Sequence, residues 1–447
     1  MTQARLKEIL LKYVTYLYPS VKVSDEIDIT IQDYTELMDD GSINIRGDIH
    51  SLKGYNIRIE QPFVPEDNNL LNHFITEVNI FEGYTNLSRE YMDNLIQSAL
   101  DHAIASTLSS TSQVTVSKAI NALTKFAERT YEGRKIRYGI IINDKLSSDT
   151  RSDNIYFADY LSSPYSAVLT NGTESFVEVD SQGYLIRYLQ LNTEKIENGL
   201  APYDYTRILE YAGEDTIAII LSTKGEILIF HNNELKYTKR GGRWNPYSHE
   251  SIIQIIHQRS ENDNRLFAKA VYLTALDVSF ASTGGIISFL DENKVENALR
   301  YINIHDIVNE RYFLLKREEM KETNDPEYED IKNLTFEEFL RRKENGKSCV
   351  LNRMIDGRKF FKLYRKLRAE LVGIDGATVI DYNGDIVAIG AIVKIEAGSV
   401  GGGRLAAAKT LSHYGIALEI SSDSSVKAFA LDEDDVPEAI FTISDIK

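Results

Sequence analysis

The sequence predicts an α/β chain, α+β overall, whose C-terminal part is a mixed β-sheet flanked by helices and follows smaller α+β and β-rich domains. Three observations predict it. Short runs between residues 27 and 59 alternate apolar and polar side chains with a period of two. Paired apolar runs around glycine-bearing turns follow between residues 137 and 230. Beyond Ser248, helical spacing alternates with apolar runs of strand length.

Residues 2–18 place Leu6, Ile9, Leu10, Tyr13, Val14 and Leu17 on one helical stripe that stops at Pro19. Ile27-Asp28-Ile29-Thr30-Ile31, Ile43-Asn44-Ile45 and Ile57-Arg58-Ile59 then alternate strictly, as half-buried antiparallel strands require. From about Ser88 to Arg129 the spacing turns helical, in two segments split at residues 106–112. Residues 1–130 are therefore expected to form a small α+β domain. Residues 131–247 read as a β-rich middle domain, with hairpin turns at Gly183 and at Lys224-Gly225. The basic turn Lys239-Arg240-Gly241-Gly242-Arg243-Trp244 is expected at the domain junction. Residues 248–447 form the third expected domain. There Ile252, Ile253, Ile256, Leu266, Phe267, Ala270, Val271 and Leu273 fit one long or broken helix. It runs into Gly284-Gly285 and a buried strand at 286–290. Residues 291–345 are charged and strand-poor, as in a solvated helical insertion.

The 447 residues are enough for two or three domains, each able to bury a core. Apolar residues make up 43% and charged residues 26%, which excludes wholesale disorder. There are 50 Lys and Arg against 67 Asp and Glu, giving a formal charge of −17. That balance argues against nucleic-acid partners, whose binding depends on many cations. It leaves room for a small anion in a local pocket. No apolar run approaches a bilayer span, so no membrane partner is expected. Cys349 is the single cysteine, which excludes a disulfide framework, and a cytoplasmic location is expected. Its neighbours read it as a small buried residue. The sequon Asn171-Gly172-Thr173 has no meaning without a secretory signal.

Chemistry concentrates after Val372. Asp375-Gly376-Ala377 places an acid and a glycine just before an apolar strand. Asp381-Tyr382-Asn383-Gly384-Asp385 is a hairpin turn, and 386–393 is the return strand. Gly401-Gly402-Gly403-Arg404-Leu405-Ala406-Ala407-Ala408-Lys409 reads as a glycine loop entering an Ala-rich helix. Such a loop offers backbone N–H groups at a helix N-terminus, where the macrodipole favours an anion, and Arg404 adds a guanidinium fork. The strand at 416–420 ends in Ser421-Ser422-Asp423-Ser424-Ser425. These features fall at the ends of consecutive elements, where an α/β sheet opens its ligand crevice.

Over roughly residues 250–447 this arrangement resembles the diadenylate cyclase domain, which condenses two ATP molecules into cyclic di-AMP. The family has a helix running into a Gly-Ala strand, then Asp-Gly-Ala, Gly-Thr-Arg-His-Arg-Ala-Ala and a Ser-Glu-Glu strand end. Gly284-Gly285-Ile286-Ile287 corresponds to the first element and Asp375-Gly376-Ala377 to the second. Gly402-Gly403-Arg404-Leu405-Ala406-Ala407-Ala408 stands at the third, and Ser421-Ser422-Asp423 at the fourth. The resemblance implies phosphates on Gly401, Gly402, Gly403 and Arg404, and the base against Ala377 and the strand that begins at Gly285. It also implies Mg²⁺ or Mn²⁺ on Asp375 and Asp423, with Asp375 catalytic if the domain is active. The departures are Leu405 for the family's histidine, Ala406 for its second arginine and Ser422 for its first glutamate. Two lost charge-assisted hydrogen bonds, at about 1.5–3 kcal/mol each, would slow catalysis by about 10²–10⁴. The leading expectation is therefore a nucleotide or cyclic dinucleotide sensor with eroded catalytic residues. An active divergent cyclase and a ligand-free oligomerisation scaffold are the alternatives. Family cyclases work face to face, so a homodimer is one expected partner and an effector protein another.

Overall fold

The computed structural model describes residues 1–83, 89–146, 155–260, 264–395 and 402–443. The chain divides after Ser248 into two compact units.

In the first unit, helix α1 (Gln3–Tyr13) is capped by the Thr2 side chain, which accepts from the Arg5 amide. Short strands β1 (Lys22–Val23), β2 (Ile27–Asp28), β3 (Thr35–Leu37), β4 (Ile43–Ile45) and β5 (Lys53–Arg58) form an antiparallel sheet in the order β1-β5-β4-β3, with β2 also on β5. Helices α2 (Pro65–Glu82), α3 (Arg89–Leu108) and α4 (Gln113–Ala127) follow. A small ribbon, β6 (Thr130–Tyr131) with β7 (Arg134–Lys135), precedes the larger sheet. That sheet contains β8 (Tyr138–Asn143), β9 (Ser175–Asp180), β10 (Leu185–Gln190), β11 (Thr216–Leu221), β12 (Ile227–His231), β13 (Glu234–Arg240) and β14 (Arg243–Pro246). Its order is β10-β9-β8-β11-β12-β13-β14, and short helix α5 (Phe157–Ser162) lies between β8 and β9 in sequence. Only β8 and β9 run parallel. The segments 1–130 and 131–247, expected as separate domains, share one apolar core that runs from Leu6 to Trp244. The basic turn of residues 239–244 is the β13–β14 hairpin. Its Lys239 Nζ and Trp244 Nε1 both donate to Asp101 of α3, at 2.9 and 2.6 Å, so it ties those two segments together. Asn171 uses its Oδ1 to accept from the backbone of Thr173, Glu174 and Ser175 in a local turn.

The second unit is a sheet between two helical layers. The expected long or broken helix is two helices, α6 (His249–Arg259) and α7 (Arg265–Ala281). Strand β15 (Gly285–Leu290) is followed by α8 (Val295–Ala298), α9 (Glu310–Glu322), α10 (Tyr328–Ile331), α11 (Phe336–Leu340), α12 (Gly346–Ile355) and α13 (Arg365–Val372). Next come β16 (Ala377–Asp381), β17 (Ile386–Ala391), α14 (Gly403–Ser412), β18 (Gly415–Ile420), β19 (Val426–Leu431) and β20 (Pro437–Ile443). The sheet order is β17-β16-β15-β18-β19-β20, parallel only between β15 and β16. All four strands expected from the sequence therefore lie in one mixed sheet.

Alternating side chains assign the faces. Ile286, Ala377, Val379, Ala417 and Phe429 share a core with Ala407, Ala408 and Leu411 of α14 and with Phe313, Phe336 and Phe339 of the crossover. On the other face Phe289 meets Phe267 of α7 edge to face, and Thr378 donates to the Leu371 carbonyl of α13 at 3.4 Å. The stretch 291–345 is helical but not merely solvated. It buries Tyr312, Phe313, Met320, Ile331 and Phe339 as one layer of the sandwich. Its charged appearance conceals Lys316, only 4% exposed, whose Nζ donates to the Leu299 carbonyl and to Glu319.

Two buried charges make the fold testable. Asp67 of α2 is 4% exposed and accepts from Tyr18 Oη at 2.6 Å, from the Val64 amide at 3.0 Å and from Ser248 Oγ at 3.4 Å. Burial pushes its carboxyl up to about 6 despite those donors. The folded state thus holds this proton more tightly than the unfolded chain. The resulting stabilisation is complete below about pH 4 and disappears as pH rises through about 6, a change of about 2–3 kcal/mol. The difference in unfolding free energy between the native protein and Asp67→Asn should therefore fall by that amount between pH 4 and 6.5. Denaturant titrations across this range check it, and a flat difference would refute it.

Arg365 of α13 is fully buried and holds Asp277 of α7 in a bidentate pair, Nε to Oδ2 at 2.6 Å and Nη2 to Oδ1 at 2.8 Å. Arg365→Met leaves the Asp277 carboxylate without its guanidinium and is expected to cost about 3–5 kcal/mol. The double variant Arg365→Met/Asp277→Leu should recover part of that loss. Equal losses in urea-unfolding midpoints would contradict the account.

Candidate functional site

Helix α7 ends at Ser282, which adopts a left-handed conformation (φ 56°), and Gly284 follows at φ 69°. These two residues turn the chain into β15. Gly285 is buried, and a Cβ there would lie 2.5 Å from the Val372 carbonyl oxygen. Its missing side chain lets α13 approach β15. One strand over, Gly376 has φ 106°, and a Cβ on it would strike the Gly390 carbonyl carbon at 2.4 Å. Gly390 itself (φ 58°) sits in an irregular stretch of the β16–β17 register. Both glycines are needed where two backbones meet closely.

Strand register brings the expected site residues to one end of the sheet. Ile286 pairs with Ala377, Gly285 with Ile420 and Ala377 with Ala391. Asp375 and Gly376 precede Ala377, Gly284 precedes Gly285, and the turn of residues 421–425 follows Ile420. All of these lie at the amino ends of β15 and β16 and the carboxyl end of β18. The crevice rule for parallel sheets points instead to the carboxyl ends of β15 and β16. The antiparallel β18 explains the difference: α14 runs back to feed it, so the helix begins at this end.

Arg404, in the first turn of α14, reaches the same place. A Cβ on Gly284 would lie 2.3 Å from Arg404 Nη1 and 3.1 Å from the Ile420 carbonyl oxygen. The guanidinium therefore lies directly against the Gly284 backbone, in space that any side chain would fill. Gly402 and Gly403 are exposed, with nothing near either Cβ position. The N-cap Gly402 supplies no side-chain acceptor for the first amides of α14. Gly401 lies outside the described residues.

The fourth element is a tight turn. Ser424 has φ 78°; its carbonyl accepts from Ser279 Oγ of α7 at 2.6 Å, and its hydroxyl faces that of Ser282 at 3.3 Å. Asp423 is exposed, and its Oδ1 accepts from the Ser425 amide at 3.2 Å. Asp375 is exposed too, whereas Ala377 is fully buried in the core under α14. The solvent-facing part of the expected set is thus Asp375, Gly402, Gly403, Arg404 and Asp423. Among the described residues no group of three His, Cys, Asp or Glu side chains converges as a metal cage. Mg²⁺ needs only one or two carboxylates when phosphates complete its shell, and exposed Asp375 meets that requirement.

The sequence reading missed Lys347 and Asp306. Lys347 Nζ donates to the Gly390 carbonyl at 2.9 Å and to Asp306 Oδ1. Asp306 is 8% exposed, and its Oδ2 accepts from the Ile392 amide at 3.1 Å. Both residues come from the crossover, where charge alternation concealed them, and only the neighbouring Cys349 attracted notice. That cysteine is half-buried against the same core. At the opposite end of the sheet a cleft of about 560 Å³ is lined by residues that include Asn309, Asn352, Arg358 and Asp385. Its polar side chains largely serve the local backbone: Asn352 donates to the Val308 carbonyl and Arg358 to those of Ile355 and Met354. No described helix is long and apolar enough to cross a membrane.

The glycines separate structural from open positions. Gly376→Ala forces a side chain into a left-handed position against backbone and should cost at least about 1–3 kcal/mol. Gly403→Ala, in open space at the first helical position, should instead stabilise by about 0.4–1 kcal/mol. Thermal midpoints that move in the same direction would contradict this geometry.

No protein-family model matches the chain, and no curated protein or solved structure matches it either.

Proposed function

We propose that residues 249–443 form a nucleotide-binding sensor domain related to the diadenylate cyclases. The observation that supports it best is Arg404. It lies across Gly284 at the sheet end that also carries the Asp375-Gly376 turn and the residues 421–425 turn. On this reading, a phosphate binds the Arg404 fork and the open amides at Gly402 and Gly403. The nucleoside lies over the sheet end beside Asp375. A divalent cation, held by Asp375 together with phosphate oxygens, would supply Lewis-acid polarisation and charge neutralisation. Asp423 is the weaker ligand, because one of its oxygens already closes a turn.

The sensor reading is favoured over the cyclase by what replaces the missing cations. Ala406 is only 3% exposed and Leu405 packs against the core, so both positions of the family's phosphate loop serve packing here. One guanidinium on α14 can anchor a phosphate. The transition state of a phosphoryl transfer asks for several charges at once.

Nucleotide binding should raise the thermal midpoint, since a ligand at 100 times its Kd adds about 2.7 kcal/mol. Arg404→Ala should abolish that shift. Asp375→Ala should weaken it less, because it removes a negative charge near the phosphates. Chromatography after incubation with ATP and Mg²⁺ or Mn²⁺ should show no cyclic dinucleotide. Product that disappears in Asp375→Ala while binding persists would establish the active cyclase instead. An unchanged nucleotide shift in Arg404→Ala would remove both readings.

A further inference from the structure

Lys347 extends the nucleotide-binding reading and rests on it. Its ammonium is fixed from two sides, by the Gly390 carbonyl and by buried Asp306, while its side chain remains 41% exposed. An ammonium carries three protons, and only two have acceptors among the described residues. A Cβ on Gly390 would stand 3.4 Å from Lys347 Nζ and 3.0 Å from the Asp375 carbonyl oxygen. The ammonium therefore borders the Asp375-Gly376 turn. Gly390 lies in β17, Asp375 just before β16 and Gly284 just before β15, and these three strands are neighbours in the sheet. The backbone positions that the two cations touch, Gly390 for Lys347 and Gly284 for Arg404, are two strand spacings or roughly 10 Å apart, with the Asp375 turn on the strand between. The helices that carry them, α12 and α14, pack in the same layer.

We propose that Lys347 is the second anion contact of this site, positioned by Asp306, and that the site takes a nucleotide ligand with two phosphates separated by about that distance. Arg404 holds one phosphate and Lys347 donates its remaining N–H to the other. Asp306 offsets much of the lysine's charge, so Lys347 acts through the placement of a hydrogen bond more than through its field. A lysine present only to neutralise Asp306 would give the same ion pair but would not discriminate between ligands with one and two phosphates.

Isothermal titration of the full chain with cyclic di-AMP and with AMP tests this. The native protein should bind cyclic di-AMP more tightly. Lys347→Met should weaken cyclic di-AMP at least tenfold and change AMP less than twofold, while Lys347→Arg keeps the preference and Arg404→Ala weakens both ligands. Should Lys347→Met fail to fold, Lys347→Gln carries the same expectation. Equal losses for both ligands, or no loss for either, would overturn the proposal. AMP bound as tightly as cyclic di-AMP by the native protein would overturn it too and leave the nucleotide-binding reading standing. Binding of neither ligand would overturn that reading, and this proposal with it.

Discussion

The second unit depends on the buried pair between Asp277 and Arg365. Helix α7 delivers the Thr283-Gly284-Gly285 turn, and α13 delivers Gly373 and the Asp375-Gly376 turn. A bidentate Arg–Asp contact with an arginine of 0% exposure fixes the separation of those helices, about one turn before the end of α7 and two before the end of α13. Arg368 supports it one turn later, donating to Thr274 Oγ1 at 3.1 Å and to the Leu363 carbonyl at 2.7 Å. Isolated buried charges are costly, so the pair is stable only while both helices keep this register. Such a contact contributes more to geometry than to net stability. It sets the two glycine turns side by side, and Gly285 completes the approach by admitting the Val372 carbonyl.

Placement at this end of the sheet follows from connectivity. The long crossover between β15 and β16 makes that pair parallel, so both strands start at the same end. Strand β18 joins β15 antiparallel and ends there. Because α14 leads into β18 at the opposite end, its N-terminus must begin where β18 finishes. The positive end of a helix, an arginine and two glycine turns thus converge as a consequence of one antiparallel strand in a mixed sheet.

Local periodicity made much of this legible. The strands at 285–290, 377–381, 386–391 and 415–420 announce themselves as continuous apolar runs, as fully buried strands do. Asp375, Gly376 and Arg404 were visible as residue types at element ends. Other features were hidden for identifiable reasons. Helix α2, to which no expected element corresponds, carries Leu70, Leu71, Phe74, Ile75 and Val78 at helical spacing behind Pro65 at its first turn, with Asn, His, Thr and Glu interleaved among them. Short helix α13 has two buried arginines, which resemble surface charges in sequence. The crossover looked solvated because its aromatic residues are spread thinly among Glu and Lys. Lys347 and Asp306 are 41 residues apart, and nothing in either neighbourhood signals the other. Ion-pair partners drawn from a long connection depend on tertiary packing and leave no spacing to read.

The first turn of α14 presents Arg404 and buries the residues beside it. An α-helix places positions 404 and 408 one above the other, with 406 rotated by some 200° from 404. Arg404 is the one that lies over Gly284, while Ala406 is 3% exposed and Ala407 and Ala408 pack under the helix. Small residues on that side let α14 lie close to β15 and β18. An arginine at 406 would enter packed core, where an unpaired guanidinium is unfavourable by several kcal/mol. The helix lies closer to the sheet than an arginine at 406 would allow. With α14 closed to a second long cation on that side, the lysine at the edge of the Asp375 turn comes from another element, α12.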